Sequence, residues 1–123
     1  MKTEPFSISK RLKSFVYAFA GLKTLLRSEH NAWIHFAATL VVISAGFFLK
    51  VNTQEWCLLV FAIGIVFVAE LFNTAIEQLT DMISPEYNEK AKKVKDLAAA
   101  GVLVAAVVAV VIGCLVFFPY LLK

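Results

Sequence analysis

Three long apolar runs dominate the pattern of this chain. They cover residues 32–49, 56–80 and 97–120. The first run has only three polar side chains, His35, Thr39 and Ser44, and residues 97–118 contain no charge at all. A helix that crosses the hydrocarbon core of a bilayer needs about 20 mostly apolar residues. The pattern therefore predicts an all-α membrane protein with three transmembrane helices, in a single domain that takes up residues 1–123.

Residues 6–28, ahead of the first run, have the periodicity of an amphipathic helix. Its apolar side chains share one side: Leu12, Phe15, Val16, Phe19, Leu22 and Leu26. Pro5 and Ser7 supply start signals, and Glu29 opens the break before the first span. A helix of this kind lies in the membrane interface. It serves there either as an anchor or as one wall of a site on the cytoplasmic side.

The second apolar run contains one stripe of polar side chains. Glu70, Asn73, Glu77 and Asp81 lie at offsets of 3, 7 and 11 residues, so they point the same way around a helix of about 3.6 residues per turn. A charged side chain inside a membrane helix costs at least about 2.5 kcal/mol, so we expect this stripe to face protein or water. Four oxygen-bearing side chains on one face suit a divalent cation, a proton relay or both.

Composition and charge agree with the membrane assignment. Hydrophobic residues make up 60% of the chain, and the mean hydropathy is +0.78, which excludes an ordinary soluble monomer. Ten of the twelve basic residues precede the first span or lie between the second and third spans. The positive-inside rule then places the N-terminus and the loop 81–96 in the cytoplasm. These lysines flank apolar spans, so we expect no nucleic-acid partner, and the first 31 residues show no cleavable signal peptide.

Function is less constrained by the residues alone. Glu70 falls in the inner leaflet and Glu77 near its cytoplasmic edge, so a water-soluble phosphate donor would meet a lipid hydroxyl between them. An ion or proton pathway and a non-enzymatic membrane subunit are the alternatives. A pathway needs polar residues toward the outer side, where Ile63, Val66 and Phe67 stand instead.

The histidines, His30 and His35, lie five residues apart on different helix faces, and we assign neither a catalytic role.

Several segments taken together resemble the small prokaryotic diacylglycerol and undecaprenol kinases. They are K-S-F-V-Y-A-F-A-G-L from Lys13, Glu29 ahead of the first span, E-L-F-N-T-A-I-E at 70–77, Asp81, and K-D-L-A-A-A-G-V-L at 95–103. The similarity extends over nearly the whole chain. The widespread nucleotide-binding motifs, such as the P-loop and the protein-kinase set, do not occur in it.

The resemblance implies an enzyme of the bacterial inner membrane, a homotrimer that moves the γ-phosphate of ATP, with Mg²⁺, onto the hydroxyl of diacylglycerol or undecaprenol. Glu70 would be the general base, Glu29 and Glu77 would hold the metal, and Asn73 would sit between base and metal, with Asp81 next on the stripe. The residues implied to contact the nucleotide are Lys10, Tyr17, Glu29, Glu77, Glu86, Tyr87, Asn88, Lys95 and Asp96.

Three further expectations concern the nucleotide contacts and the third span. Asn88 stands where the family commonly has histidine, which would alter the adenosine contacts. Lys10 stands where the family usually has arginine, and Arg11 beside it could substitute. Asp96 is expected to cap the third span, where free N–H groups would favour an anion beside Lys95. A strip of small residues runs down that span and predicts close helix packing. The resemblance favours packing between subunits, and packing within one subunit is the alternative. The strip consists of Gly101, Ala105, Ala109 and Gly113.

Overall fold

A computed structural model describes residues 3–123 as four helices. They are α1 (Ile8–Ser28), α2 (His30–Leu49), α3 (Thr53–Ile83) and α4 (Glu89–Leu121). The described residues contain no strand, and α2, α3 and α4 are each long and apolar enough to cross a membrane. The predicted all-α class, with an N-terminal helix and three candidate spans, is confirmed. Met1 and Lys2, of which Lys2 counts in the charge bias above, lie outside the described residues.

Local capping sets the helix starts. The Ser7 hydroxyl accepts a hydrogen bond from the Lys10 backbone N–H at 3.5 Å, so α1 begins one residue after Ser7. Glu29 alone adopts an extended conformation between α1 and α2. Asn52 and Glu55 form a reciprocal capping box, which starts α3 ahead of the apolar run that begins at Trp56.

The start of α4 corrects one expectation. Asp96 does not cap the third span, because α4 begins at Glu89 and the Asn88 side chain caps it, accepting from the backbone N–H groups of Lys90 at 2.8 Å and Ala91 at 3.3 Å. Asp96 lies two turns inside the helix and pairs with Lys92 at 2.7 Å. Lysine and alanine are good helix formers, so the basic stretch extends the helix instead of forming a loop.

The helices α3 and α4 run antiparallel and are joined by polar contacts at both ends. Lys95 pairs with Asp81 near the start of α4, and the Tyr120 hydroxyl donates to Glu55 Oε1 at 2.6 Å near its end. The small apolar core consists of Val51, Leu59 and Val116 and lies beside the contact of Tyr120 with Glu55, since Tyr120 packs against it. We call the end that carries Lys90, Lys92, Lys93 and Lys95 the basic end of the bundle.

The helix α1 packs onto the bundle only near its C-terminus. Leu25 is its one buried residue, and the Trp33 indole N–H of α2 donates to the Leu26 carbonyl at 2.6 Å. Phe15 and Phe19, on the apolar side, are 65% and 69% exposed. The apolar side of α1 therefore finds no cover within the described chain, as expected for a helix that lies in the membrane interface.

Candidate active site

The polar stripe of α3 faces the first half of α2 at the basic end. Glu29, just before α2, interacts with Glu77, and His35 contacts Glu70. The two contacts are six residues apart along one helix and seven apart along the other, in opposite directions. This is the spacing of two antiparallel helices that lie side by side. The stripe therefore faces protein at this point.

Glu70 is the most deeply buried charged side chain of the cluster, with 3% of its side chain exposed. Its Oε1 lies 2.9 Å from His35 Nε2, but this contact does not meet the geometry of a hydrogen bond. Oε1 therefore has no hydrogen-bond partner within residues 3–123. A buried carboxylate oxygen without a donor carries a large desolvation penalty. Glu70 is thus a strong candidate acceptor for a proton or a ligand.

The next turn of α3 adds further oxygen atoms. The Asn73 amide donates to Glu77 Oε1 at 3.1 Å, which places Asn73 between Glu70 and Glu77 along the helix. The buried Asn73 Oδ1 and Thr74 Oγ1 have no hydrogen-bond partner in the described part of the chain. Buried polar atoms are normally satisfied, so this turn is built to meet groups that the single chain does not supply.

Electrostatic repulsion is concentrated on Glu29. Burial, and then the negative charge of Glu77, raise the pKa of Glu29 above its ordinary value, and Glu70 adds a smaller effect in the same direction. His30 opposes these effects weakly. Glu77 and Glu70 therefore both act on Glu29 at the junction of α1, α2 and α3, and a cation placed there would relieve this repulsion.

The carboxylates fit a magnesium ion that also binds phosphate. Residues 3–123 hold no group of three or more His, Cys, Asp or Glu side chains arranged for a metal. Mg²⁺, however, is usually held by one or two carboxylates together with substrate phosphates and water. Glu29 and Glu77, with their mutual repulsion, satisfy that requirement, and these are the two residues that the sequence predicted as metal ligands.

The predicted nucleotide contacts on α4 are engaged in ion pairs. Lys95, 40% exposed at its side chain, pairs with Asp81 and so lies one turn of α3 beyond Glu77. Asp96 pairs with Lys92 on the exposed surface of α4. Lys95 is therefore placed beside the carboxylates, whereas Asp96 contacts none of them within the described chain.

The remaining predicted nucleotide contacts are not gathered around the carboxylates. Lys10 pairs with Glu4 near the start of α1, and Tyr17 and Tyr87 are 70% and 80% exposed. Glu86 is exposed between α3 and α4, and the side-chain oxygen of Asn88, Oδ1, caps α4. No hydrogen bond or ion pair links these five side chains to Glu29, Glu70 or Glu77 within residues 3–123. Their assignment to the nucleotide stays a prediction.

Two apolar cavities adjoin the site. One of about 410 Å³ runs between α2, α3 and α4 from the level of His35 toward the far end of the bundle. Its lining includes His35, Val42, Leu59, Val66, Ala109 and Phe117. The second, of about 650 Å³, lies between the end of α3 and the start of α4, where Thr80 and Asn88 contribute to its wall. The space beyond Glu70 is thus lined almost entirely by apolar side chains, and residues 3–123 do not continue a polar pathway outward along the stripe.

Sequence reasoning missed two members of the site, His35 and Thr74. A single histidine in an apolar run carries no recognisable pattern, and threonine is common in membrane helices. The available signal was spacing, because His35 follows Glu29 by six residues and Glu70 precedes Glu77 by seven. Antiparallel packing of α2 on α3 through Glu29 and Glu77 would bring His35 to Glu70.

Comparison with known proteins identifies the family. The model of the prokaryotic diacylglycerol kinases matches residues 16–117, which include most of α1 and all of the carboxylate cluster. The chain belongs to this family. It is 40% identical over 114 residues to an undecaprenol kinase of Bacillus subtilis, a match that covers 93% of each chain.

Diacylglycerol kinases of other bacteria match as well. The identity is 37% over 113 residues with one from Synechocystis, covering 91% of this chain and 65% of that protein. It is 28% over 120 residues with one from Escherichia coli, covering 98% of each. The chain is therefore an enzyme, a lipid kinase, and family membership favours this assignment over an ion pathway or a non-enzymatic subunit. With three apolar helices, it is a bacterial membrane protein.

Proposed function

We propose that this lipid kinase transfers the γ-phosphate of ATP to the hydroxyl of undecaprenol at the cytoplasmic face of the inner membrane. The observation that carries the proposal is the pairing of a buried, unsatisfied carboxylate, Glu70, with a repelling carboxyl pair, Glu29 and Glu77, about 10 Å along the same bundle. One part suits a proton acceptor and the other suits a metal-bound phosphate.

The reaction that we propose needs one proton acceptor. The oxygen of the lipid hydroxyl forms a bond to the γ-phosphorus, the bond between that phosphorus and the β,γ-bridging oxygen breaks, and ADP leaves. Glu70 takes the hydroxyl proton as the new bond forms. Its burial keeps water away from the transferring group, which disfavours hydrolysis of ATP.

Glu29 and Glu77 would hold Mg²⁺ in this proposal. Mg²⁺ supplies charge neutralisation on the phosphate oxygens when it is bound. Asn73 orients Glu77 by donating to its Oε1 at 3.1 Å. Lys95 would place a positive charge near the transferring phosphate, and its ion pair with Asp81 holds it one turn of α3 beyond Glu77. Asp81 thus supports the site through Lys95.

A homotrimer would complete the site. Lys10, Tyr17 and Tyr87 are exposed and form no hydrogen bond or ion pair with Glu29, Glu70 or Glu77 within residues 3–123, so we propose that a neighbouring subunit helps to bring the nucleotide contacts together. Gly101 of α4 is open to such a neighbour, because it is exposed and a Cβ added there would meet no atom within 4 Å. Gly113, in contrast, lines the cavity between α2, α3 and α4 of the same chain. Small residues on a membrane helix favour close approach of a second helix.

The acceptor and the orientation rest on separate support. Undecaprenol is proposed because the relative with that name combines 40% identity with a match to 93% of both chains. Diacylglycerol is the second candidate, since the relatives at 37% and 28% identity are named for it. The bias of lysine and arginine toward the basic end supports a cytoplasmic location for the site.

A labelling experiment tests the proposal. Purified protein in mixed micelles is given γ-labelled ATP, Mg²⁺ and either undecaprenol or diacylglycerol, beside Glu70→Gln and, as a control, Glu89→Gln. Glu89 is an exposed carboxylate of α4 without an ion pair in the described chain. We expect label on undecaprenol, a kcat lower by at least about 10²-fold in Glu70→Gln, and wild-type activity in Glu89→Gln.

The other outcomes are equally informative. Label on diacylglycerol alone would replace undecaprenol with the second candidate. Absence of label on both lipids, with folded protein and Mg²⁺ present, would refute the proposed reaction. Equal activity of Glu70→Gln and wild type would remove Glu70 from the role of base.

A further inference from the structure

The contact between His35 and Glu70 has no role in the reaction described so far. His35 Nε2 lies 2.9 Å from Glu70 Oε1, with 24% and 3% of the two side chains exposed. No other basic side chain of residues 3–123 lies within 4 Å of the Glu70 carboxylate, and Oε1 makes no hydrogen bond to any other group of these residues. Within the described part of the chain, His35 is therefore the one polar neighbour that can hold this oxygen.

The surroundings of His35 fix where its ring can go. The residue lies in the second turn of α2, and the ring reaches across to α3 at the polar end of the 410 Å³ cavity. The rest of that cavity wall is almost entirely apolar. A polar ring next to apolar surface gains most by turning toward the one carboxylate within reach, because charge-assisted contacts are strong where water is scarce.

We infer that His35 is a positioning residue for the proposed base: through its contact with Oε1 it holds the Glu70 carboxylate in the orientation that meets the acceptor hydroxyl. The inference rests on the proposed function, in which Glu70 accepts the proton. A glutamate side chain has three rotatable bonds, and a loosely held carboxylate spends only part of its time in a productive orientation. A misplacement of about 1 Å can reduce a rate about 10²-fold.

Substitution of His35 separates positioning from a general structural role. His35→Gln keeps an amide N–H at nearly the reach of Nε2, His35→Asn places that donor too short, and His35→Leu removes it. We expect kcat to fall about 10- to 10²-fold in His35→Leu and His35→Asn, with KM for ATP within twofold of wild type. His35→Gln should regain most of the lost kcat.

Two controls accompany these variants. Ser44→Ala removes an exposed polar group from α2 more than two turns beyond His35 and should leave kcat unchanged. Thermal unfolding midpoints of all variants show which of them fold. If His35→Leu fails to fold, the inference is tested by comparing the kcat of His35→Gln with the kcat of His35→Asn, since both side chains are polar and similar in bulk.

A double-mutant cycle gives a second readout. Residues that act as a unit have non-additive effects on kcat. In the Glu70→Gln background, His35→Leu should therefore reduce the residual kcat by less than twofold. An equal loss of kcat in both backgrounds would overturn the inference, as would a His35→Asn variant with the kcat of His35→Gln.

Failure of the inference can be told apart from failure of the proposed function. If wild type transfers label to lipid and Glu70→Gln does not, while His35→Leu keeps full kcat, the proposed function stands and the positioning role of His35 is refuted. If wild type transfers no label to either lipid, the proposed function fails, and the inference is refuted with it.

Discussion

At the scale of single residues, the carboxyl groups of Glu29 and Glu77 repel each other. The pKa of Glu29 is raised by burial and by the charge of Glu77, so the pair is less stable without a cation than with one. Glu77→Gln keeps the shape of the side chain and an oxygen that can accept from the Asn73 amide. We expect the variant to unfold at a higher temperature than wild type in EDTA, because one of the two repelling charges is gone.

The same variant should respond weakly to magnesium. A metal that binds only the folded state raises the unfolding midpoint, so Mg²⁺ should stabilise wild type, while its affinity for Glu77→Gln falls at least about tenfold. Unfolding of detergent-solubilised protein across an Mg²⁺ titration measures both effects, with Glu89→Gln as control. Identical Mg²⁺ responses in wild type and Glu77→Gln would exclude Glu77 as a ligand.

Part of the site could be predicted at this scale, and the reason lies in helix geometry. Glu70, Asn73 and Glu77 share one face by spacing alone, and the structure shows Asn73 bonded to Glu77. His35 could not be found in this way, because its contact with Glu70 depends on the register between α2 and α3. Register is set by packing around Glu29 and Glu77, which a search along one helix at a time does not include.

At the scale of the helices, hydropathy located the spans but not their ends. By helical rise, the 31 residues of α3 and the 33 of α4 extend about 46 Å and 50 Å, against a hydrocarbon core of about 30 Å. The apolar runs mark only the part that would lie in lipid. Capping sets where the helices start: Asn52 and Glu55 start α3, and Asn88 starts α4. The basic stretch between Lys90 and Lys95 is therefore part of α4.

Asn88 connects capping with the predicted nucleotide site. Its side-chain oxygen accepts from the N–H groups of Lys90 and Ala91, and its amide donor is left for a ligand. We expect Asn88→Ala to reduce the free energy of unfolding by about 1 kcal/mol, as for other lost caps. Asn88→Ser, which retains a capping oxygen, should have wild-type stability but a KM for ATP that is raised severalfold.

For the Asn88 variants, denaturant unfolding in detergent measures the free energy of unfolding, and initial rates at varied ATP measure the KM for ATP. A Ser variant with unchanged stability and unchanged KM would limit Asn88 to capping and remove it from the nucleotide site. A Ser variant that is as unstable as Ala would show instead that the capping hydrogen bonds are not what Asn88 contributes.

At the scale of the whole molecule, the single chain leaves most of its apolar surface uncovered. Only α3 and α4 are joined along their length, and side chains such as Phe72 and Val104 are more than half exposed. Lipid covers such surface in a membrane protein, so exposure by itself does not indicate a partner. The informative positions are the small residues of α4. Ala105 is buried within the chain, whereas Gly101 is exposed.

Gly101 therefore gives the clearest test of the proposed homotrimer. A Cβ there would meet no atom of the same chain within 4 Å, and leucine favours the helix over glycine by about 1 kcal/mol. Gly101→Leu should leave the protomer folded but block close approach of a second helix, shifting the mass in detergent from trimer to monomer and reducing lipid phosphorylation in parallel. Gly64→Leu, at an equally open glycine of α3, is the control and should stay trimeric.

A Gly101→Leu monomer with full activity would refute a site shared between subunits, and an unchanged mass would place the subunit contact elsewhere than on α4.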